Sequence, residues 1–174
     1  DVTERRKLRE KLGCKSFGWF LKNIYPDLHV PEDNPGMFGM LKNRGKADHC
    51  FDYNPTDDDV VVGERVILYP CHGMGQNQFF EYSKDGELRY NTRTPAGCVM
   101  GDSVSTYLTI QLCRGHGEPV PTHQKFVFRK DGSLYHVLSQ KCVQATENTD
   151  NGVAASLQPC TASLHQQWFF VERS

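Results

Sequence analysis

Gln78-Phe79-Phe80-Glu81-Tyr82-Ser83-Lys84-Asp85-Gly86-Glu87-Leu88 is answered 46 residues later by Gln124-Lys125-Phe126-Val127-Phe128-Arg129-Lys130-Asp131-Gly132-Ser133-Leu134. In both, a Gln-x-aromatic triplet runs through Lys-Asp-Gly into Gly-x-Leu. Gln166-Gln167-Trp168 supplies a third triplet and Gly39-Met40-Leu41 a third Gly-x-Leu. Eight to ten residues after each leucine stands the first cysteine of a pair, Cys50, Cys98 or Cys142. The second, Cys71, Cys113 or Cys160, precedes the next Gln-x-aromatic. Landmarks that keep one order over offsets of 42 to 48 residues define a threefold repeat. Its copies span about 37–84, 85–130 and 131–174.

The local pattern inside the repeats is β. Phe79 to Tyr82 and Glu87 to Tyr90 flank Asp85-Gly86, a hairpin signal, and Lys125 to Arg129 with Ser133 to Val137 repeat it around Asp131-Gly132. Asp150-Asn151-Gly152 marks a further tight turn. Three similar units, the last needing the first to complete it, point to an all-β fold, a β-trefoil. The aromatics Phe80, Phe126 and Trp168 are then core residues.

The 174 residues carry 20 Lys+Arg against 21 Asp+Glu, a net charge of −1, with a mean hydropathy of −0.57. That is one domain with an appendage, without the basic surplus that nucleic acid or an anionic membrane would call for. Apolar runs such as Val60-Val61-Val62 are too short to span a bilayer, so no membrane contact is expected of this segment. The start, Asp1 to Arg6, leads into no apolar stretch, and the chain reads as a piece of a longer one.

Residues 1–30 follow a different rule. Leu8 and Leu12, then Phe17, Phe20, Leu21 and Ile24, are spaced as on helices, and Gly13 and Gly18 divide them into two short ones. Residues 31–36, rich in proline, read as a linker. The helical stretch is too small for a core of its own, so its apolar face is expected to pack on something outside this chain.

Dropping Cys14, the remaining six cysteines form neighbouring pairs 21, 15 and 18 residues apart. Six cysteines allow 15 connectivities, and the repeat selects 50–71, 98–113 and 142–160. Each closed loop adds about 3 kcal/mol by restricting the unfolded chain, and such bonds need an oxidising compartment. Cys14 is the odd one, and an odd cysteine suggests a partner thiol elsewhere.

Repeats permit an internal comparison of chemistry. Two residues after the first cysteine stand Asp52, Met100 and Gln144; two before the second stand Tyr69, Gln111 and Gln158. Just after it come His72, Arg114 and Thr161, and just before the repeat glutamine Asn77, His123 and His165. The first copy alone joins a carboxylate, an aromatic, an imidazole and an amide, a set suited to a sugar. A carboxylate accepts from vicinal hydroxyls, an amide donates, and an aromatic face covers the apolar side of a pyranose. Each residue also has a plainer reading: an Asx-turn for Asp52, a strand position for Tyr69, a loop cap for His72, backbone pairing for Asn77.

Other motifs carry less. Asp57-Asp58-Asp59 lacks the spaced ligands of a calcium loop, and Gly73-Met74-Gly75 lacks the remainder of a dinucleotide fingerprint. Asp27-Leu28-His29 has no domain around it, and Cys113-x-x-His116 has no second zinc half-site. No metal site and no catalytic constellation is read in this chain.

The cysteine pairs with triplicate Gln-x-aromatic motifs resemble the ricin-type lectin domain. More narrowly, Leu12-Gly13-Cys14-Lys15-Ser16-Phe17-Gly18-Trp19-Phe20-Leu21 and Asn23-Ile24-Tyr25-Pro26 resemble the close of the catalytic region of polypeptide N-acetylgalactosaminyltransferases. Cys50-Phe51-Asp52 and Cys71-His72-Gly73-Met74-Gly75-Gln76-Asn77-Gln78 resemble that family's first lectin repeat. The resemblance implies a Golgi-lumen enzyme that moves N-acetylgalactosamine (GalNAc) from UDP-GalNAc to Ser or Thr with manganese. Its lectin domain binds GalNAc already on a glycopeptide or mucin-like glycoprotein and steers the enzyme to further sites. It further implies that Asp52, Tyr69, His72 and Asn77 bind the sugar, and that Cys14 pairs within the catalytic region. The second and third copies, with Met100 and Gln144 in the Asp position, depart from the pattern. This chain alone is expected to be non-catalytic. The alternatives are a trefoil acting through sugar-independent protein contacts, and a free-standing secreted lectin.

Overall fold

A computed structural model describes Thr3, Asn34 and residues 36–55, 59–149 and 152–172, with backbone alone at 147–149. The expected helices in 1–30 with Cys14, most of the linker, Asp57-Asp58 and Asp150-Asn151 lie outside the described residues. Among the described residues twelve strands follow in order. The first four are β1 (Met37–Asn43), β2 (His49–Asp52), β3 (Ile67–Pro70) and β4 (Phe80–Tyr82). The next four are β5 (Leu88–Tyr90), β6 (Gly97–Met100), β7 (Thr109–Leu112) and β8 (Phe126–Phe128). The last four are β9 (Leu134–His136), β10 (Lys141–Thr149), β11 (Gly152–Gln158) and β12 (Trp168–Val171).

All pairing is antiparallel, and it closes. β1 pairs with β4 on one side and β12 on the other, β4 with β5, and β8 with β9. The two remaining seams repeat one backbone bond: Phe126 N–H donates to Gly86 O and Trp168 N–H to Gly132 O, each at 2.8 Å. A six-stranded ring results, and a closed ring has no exposed edge. The pairs β2–β3, β6–β7 and β10–β11 form three hairpins outside that ring. The expected β-trefoil is the fold found.

The recurring landmarks have physical reasons. Gly39, Gly86 and Gly132 hold φ of 126°, 91° and 90°, a region that disfavours any Cβ. At Gly39 a Cβ would also stand 2.2 Å from Val171 O, across the β1–β12 seam. Ser83 N–H donates to Glu87 O and Gly86 N–H to Ser83 O, closing the turn expected at Asp85-Gly86; Arg129, Ser133 and Gly132 repeat both bonds. Asn34, in the stretch read as linker, is anchored to that first turn by Nδ2 bonds to Ser83 O and Lys84 O, both 3.1 Å.

The core lies inside the ring. Leu41, Leu88 and Leu134 of Gly-x-Leu are fully buried, as are Phe80, Phe126 and Trp168 of Gln-x-aromatic. Phe51 stands edge-on to Phe80 and Trp168 with centroids at 5.7 and 5.1 Å, joining the first and third copies. Disulfides join Cys50–Cys71, Cys98–Cys113 and Cys142–Cys160, the pairing selected from the repeat. Each ties its hairpin to the loop that carries the repeat glutamine.

Candidate functional site

In β2 and β3 the side chains alternate. Phe51 and its partner Leu68 face the core, so Cys50, Asp52, Ile67 and Tyr69 share the opposite face. Asp52 opposes Ile67, and Tyr69 opposes Cys50, which places Asp52 and Tyr69 diagonally on one surface. The Cys50–Cys71 bond and the Cys71 N–H bond to Asp48 O (2.9 Å) fold the 71–78 loop over that surface. The loop ends in a 3-10 turn, Gln76–Gln78, which Tyr53 N–H anchors through Asn77 O at 3.0 Å.

Gln78 organises what lies between. It is fully buried; its Nε2 donates to Asp52 Oδ2 at 2.9 Å and Pro70 O at 3.0 Å, and its Oε1 accepts from His72 N–H at 3.1 Å. Asp52 is 4% exposed and Tyr69 51%. Burial pushes the Asp52 carboxyl above the ordinary aspartate value of 3.8, against the opposing pull of the Gln78 bond and nearby His72. Among the described residues Gln78 is the protein partner of this carboxylate, which leaves Oδ1 to accept from a ligand.

Of the four residues singled out from the sequence, Asp52 and His72 bond Gln78, Asn77 precedes it in the chain, and Tyr69 lies diagonal to Asp52. Asp52 makes no Asx-turn; its bond is to Gln78. His72 does cap its loop, Nδ1 accepting from Met74 N–H at 3.1 Å, so a neutral ring carries its proton on Nε2. Asn77 Nδ2 reaches the Asn54 side chain at 3.4 Å, a long bond. The surface thus offers a buried acceptor, an exposed aromatic, an imidazole and an amide.

The same clamp in the other copies sets the first apart. Gln166 Nε2 donates to Pro159 O (2.9 Å) and Gln144 Oε1 (2.8 Å), and its Oε1 accepts from Thr161 N–H at 2.7 Å. In the second copy Gln124 Nε2 donates to Leu112 O at 3.2 Å, but Met100 offers no oxygen and Gln124 Oε1 is buried without a partner. Arg114, in the place of His72, is drawn to Asp85 (2.6 Å) and Glu87 (3.6 Å). Among the described residues the second copy has no carboxylate in the place of Asp52.

Residues 37–168 match the ricin-type beta-trefoil lectin domain. The chain belongs to that family. This ricin-type lectin chain is 56% identical over 175 residues to polypeptide N-acetylgalactosaminyltransferase 12 of Homo sapiens, covering 99% of the chain and 29% of the relative. It therefore spans under a third of the length of that curated relative. Among solved structures, GalNAc-T7 with UDP, GalNAc and Mn2+ is similar at TM-score 0.59 and 21% identity, over 99% of this chain and 30% of that one. The β-trefoil lectin of the Vibrio vulnificus hemolysin/cytolysin with N-acetyl-D-lactosamine bound gives TM-score 0.61 and 19% identity, over 80% and 96%. At those identities the two structures bear on the fold alone.

Sequence reasoning treated the repeat glutamine of this lectin domain as a landmark and missed its work. A signal existed: glutamine recurs at one position while the residue two after the first cysteine changes between carboxylate, thioether and amide. A fixed donor facing a variable acceptor is the pattern of a positioning residue.

Proposed function

We propose that this chain is the carbohydrate-binding module of a larger GalNAc-transferase and that its first repeat binds GalNAc on glycopeptides through Asp52, Tyr69, His72 and Asn77. The observation that carries this is the buried Asp52 carboxylate, oriented by Gln78 through one oxygen and set diagonally across β2–β3 from exposed Tyr69. Three or four net hydrogen bonds of about 0.5–1.5 kcal/mol each, somewhat more for the charged one, correspond to roughly millimolar affinity. Such binding still directs a tethered catalytic domain, because linkage supplies an effective concentration on the order of millimolar. The parent enzyme would bring UDP-GalNAc and manganese in its own domain and work in the secretory pathway, in the Golgi lumen, an oxidising setting that suits three disulfides.

Calorimetric titration with a GalNAc-Thr peptide tests the reading. Binding should be competed by free GalNAc, absent with the unglycosylated peptide, and weakened about tenfold or more by Asp52→Ala. Undiminished binding by that variant would sink the assignment.

Acidity gives a second test. The ionised carboxylate is the acceptor, and its value lies above that of an ordinary aspartate. Affinity should therefore fall as pH drops, with a midpoint higher than an unperturbed Asp would give. Because the folded value is raised, ionisation of Asp52 works against the fold, a burden that eases as pH falls. Asp52→Asn keeps an oxygen for Gln78, as Gln144 does for Gln166, and removes the charge. It should melt no lower than the parent near neutral pH while losing both affinity and its pH dependence; a lower melting temperature would contradict the argument.

A further inference from the structure

The loop that carries His72 and Asn77 takes a path that its two counterparts avoid. Each repeat glutamine closes a 3-10 turn, Gln76–Gln78, Thr122–Gln124 or Leu164–Gln166. The second and third turns are entered through Pro121 and Ser163 in extended backbone, with φ of −60° and −62°. The first is entered through Gly75 at φ 74° and Gln76 at φ 51°. Glycine tolerates that left-handed region; a glutamine enters it at a cost, because its Cβ crowds the backbone. Among the described residues only Gln76 and Gln140 do so without being glycine. Strain of this kind persists where the surroundings hold it.

The copies also differ in how a neighbour holds the loop. Two residues after the leucine of Gly-x-Leu stand Asn43, Tyr90 and His136. Asn43 Nδ2 donates to His165 O at 2.8 Å, and His136 Nε2 lies 2.9 Å from His123 O. Both reach from the next copy to the carbonyl just before a repeat glutamine. Tyr90, their counterpart in the second copy, makes no such bond. The matching carbonyl, Asn77 O, accepts from Tyr53 N–H at 3.0 Å, and the Tyr90 hydroxyl is buried without a partner. The Tyr90 ring instead backs the loop from below, edge-on to Tyr53 with centroids at 5.0 Å.

The second copy takes hold one residue earlier in the loop. Thr92 Oγ1 donates to Gln76 O at 3.0 Å, a bond to the left-handed residue itself. In the third loop the matching carbonyl, Leu164 O, accepts from Gly45 N–H at 3.1 Å, a backbone bond that no side chain controls. Thr92 is exposed, but the residue before it is anchored: Asn91 Nδ2 donates to Glu81 Oε2, and Asn91 Oδ1 accepts from Arg89 Nε at 3.3 Å.

We infer that Thr92 is a positioning residue of the first-repeat site: from the neighbouring copy it pins Gln76 in its left-handed conformation and so sets where Asn77 and His72 stand beside Asp52. The carbonyl it bonds belongs to the peptide unit that leads into Asn77, and a bond there opposes rotation of that unit. Thr92 acts through the loop and not on the sugar. The inference rests on the reading of the first repeat as the glycopeptide site.

Calorimetric titration with the GalNAc-Thr peptide tests it in variants of the whole chain. Thr92→Val removes the hydroxyl at nearly constant shape and should weaken binding about fivefold, the worth of one net hydrogen bond, with little change in melting temperature. Thr92→Ser keeps a hydroxyl and should retain most of the affinity. Gln76→Gly removes the crowding that needs the pin, so Thr92→Val added to it should cost no more than about twofold, a difference read by a double-mutant cycle. Hydrogen exchange at the Gln78 and Phe79 amides, which donate to Gly75 O and Gln76 O, should quicken severalfold in Thr92→Val, with or without peptide. Undiminished binding or unchanged exchange in Thr92→Val, a loss as large in Thr92→Ser, or equal losses with and without Gln76→Gly would overturn this inference alone. Absence of glycopeptide binding by the unaltered chain would overturn it together with the site reading beneath it.

Discussion

Replacing Trp168 by Ala should lower the stability of this chain by about 3–5 kcal/mol, the range for deleting a large buried aromatic. The indole is 1% exposed, stands edge-on to Phe51 at 5.1 Å and donates from Nε1 to Val143 O at 2.9 Å. Its removal opens a void at the meeting of the first and third copies and strands a buried carbonyl. Domains of this size are stable by roughly 5–15 kcal/mol, so the loss takes a large share. Trp168→Phe is the internal control, because Phe80 and Phe126 fill the matching places in the other copies. It keeps a ring and loses the indole bond, and should cost about 1–2 kcal/mol. Urea denaturation measures both; similar costs for Ala and Phe would show that the void is not what matters.

One substitution made in two copies should have very different effects. Gln78→Leu removes the donor to a buried carboxylate and the partners of His72 N–H and Pro70 O. His72 and Pro70 lie at the surface, where water replaces the loss, but the Asp52 carboxylate is left buried and unpaired. We expect a cost of about 2–4 kcal/mol, together with loss of glycopeptide binding. Gln124→Leu gives up one bond to Leu112 O and deletes an oxygen that already lacks a partner. Its effect should stay within about 1 kcal/mol of zero, in either direction. Equal costs at the two positions would mean that Asp52 does not depend on Gln78.

The fold was legible because its requirements recur at fixed places. Gly39, Gly86 and Gly132 answer to a backbone angle, Phe80, Phe126 and Trp168 to a shared core, and six cysteines to three similar loops. Candidate site residues stood out by the opposite test, as positions where the copies disagree. What stayed hidden needed the third dimension. That Gln166 turns its Nε2 toward Gln144 Oε1 depends on which end of an amide faces which neighbour. That Lys46 of the first copy and Tyr107 of the second meet the β10–β11 hairpin of the third depends on packing between repeats, and no spacing within one repeat reveals it. The loop-capping bond of His72 was among the sequence readings, yet choosing it required the coordinates.

β1 pairs with β12, Leu41 opposite Phe170, so the first strand of the ring is completed by the last. During synthesis the three disulfide-bearing hairpins can each close locally as they emerge, since their partners are near in sequence. The ring cannot. Until residues 168–171 are made, β1 has β4 and the Lys42–Cys50 pairing with β2 but no partner in place of β12, and Phe51 lacks Trp168. A chain stalled before that point presents an open strand and an uncovered aromatic core, the features on which nascent chains aggregate. Completion of the barrel is therefore a late event in the life of the chain, and any shortening near Trp168 bears first on residues near its start.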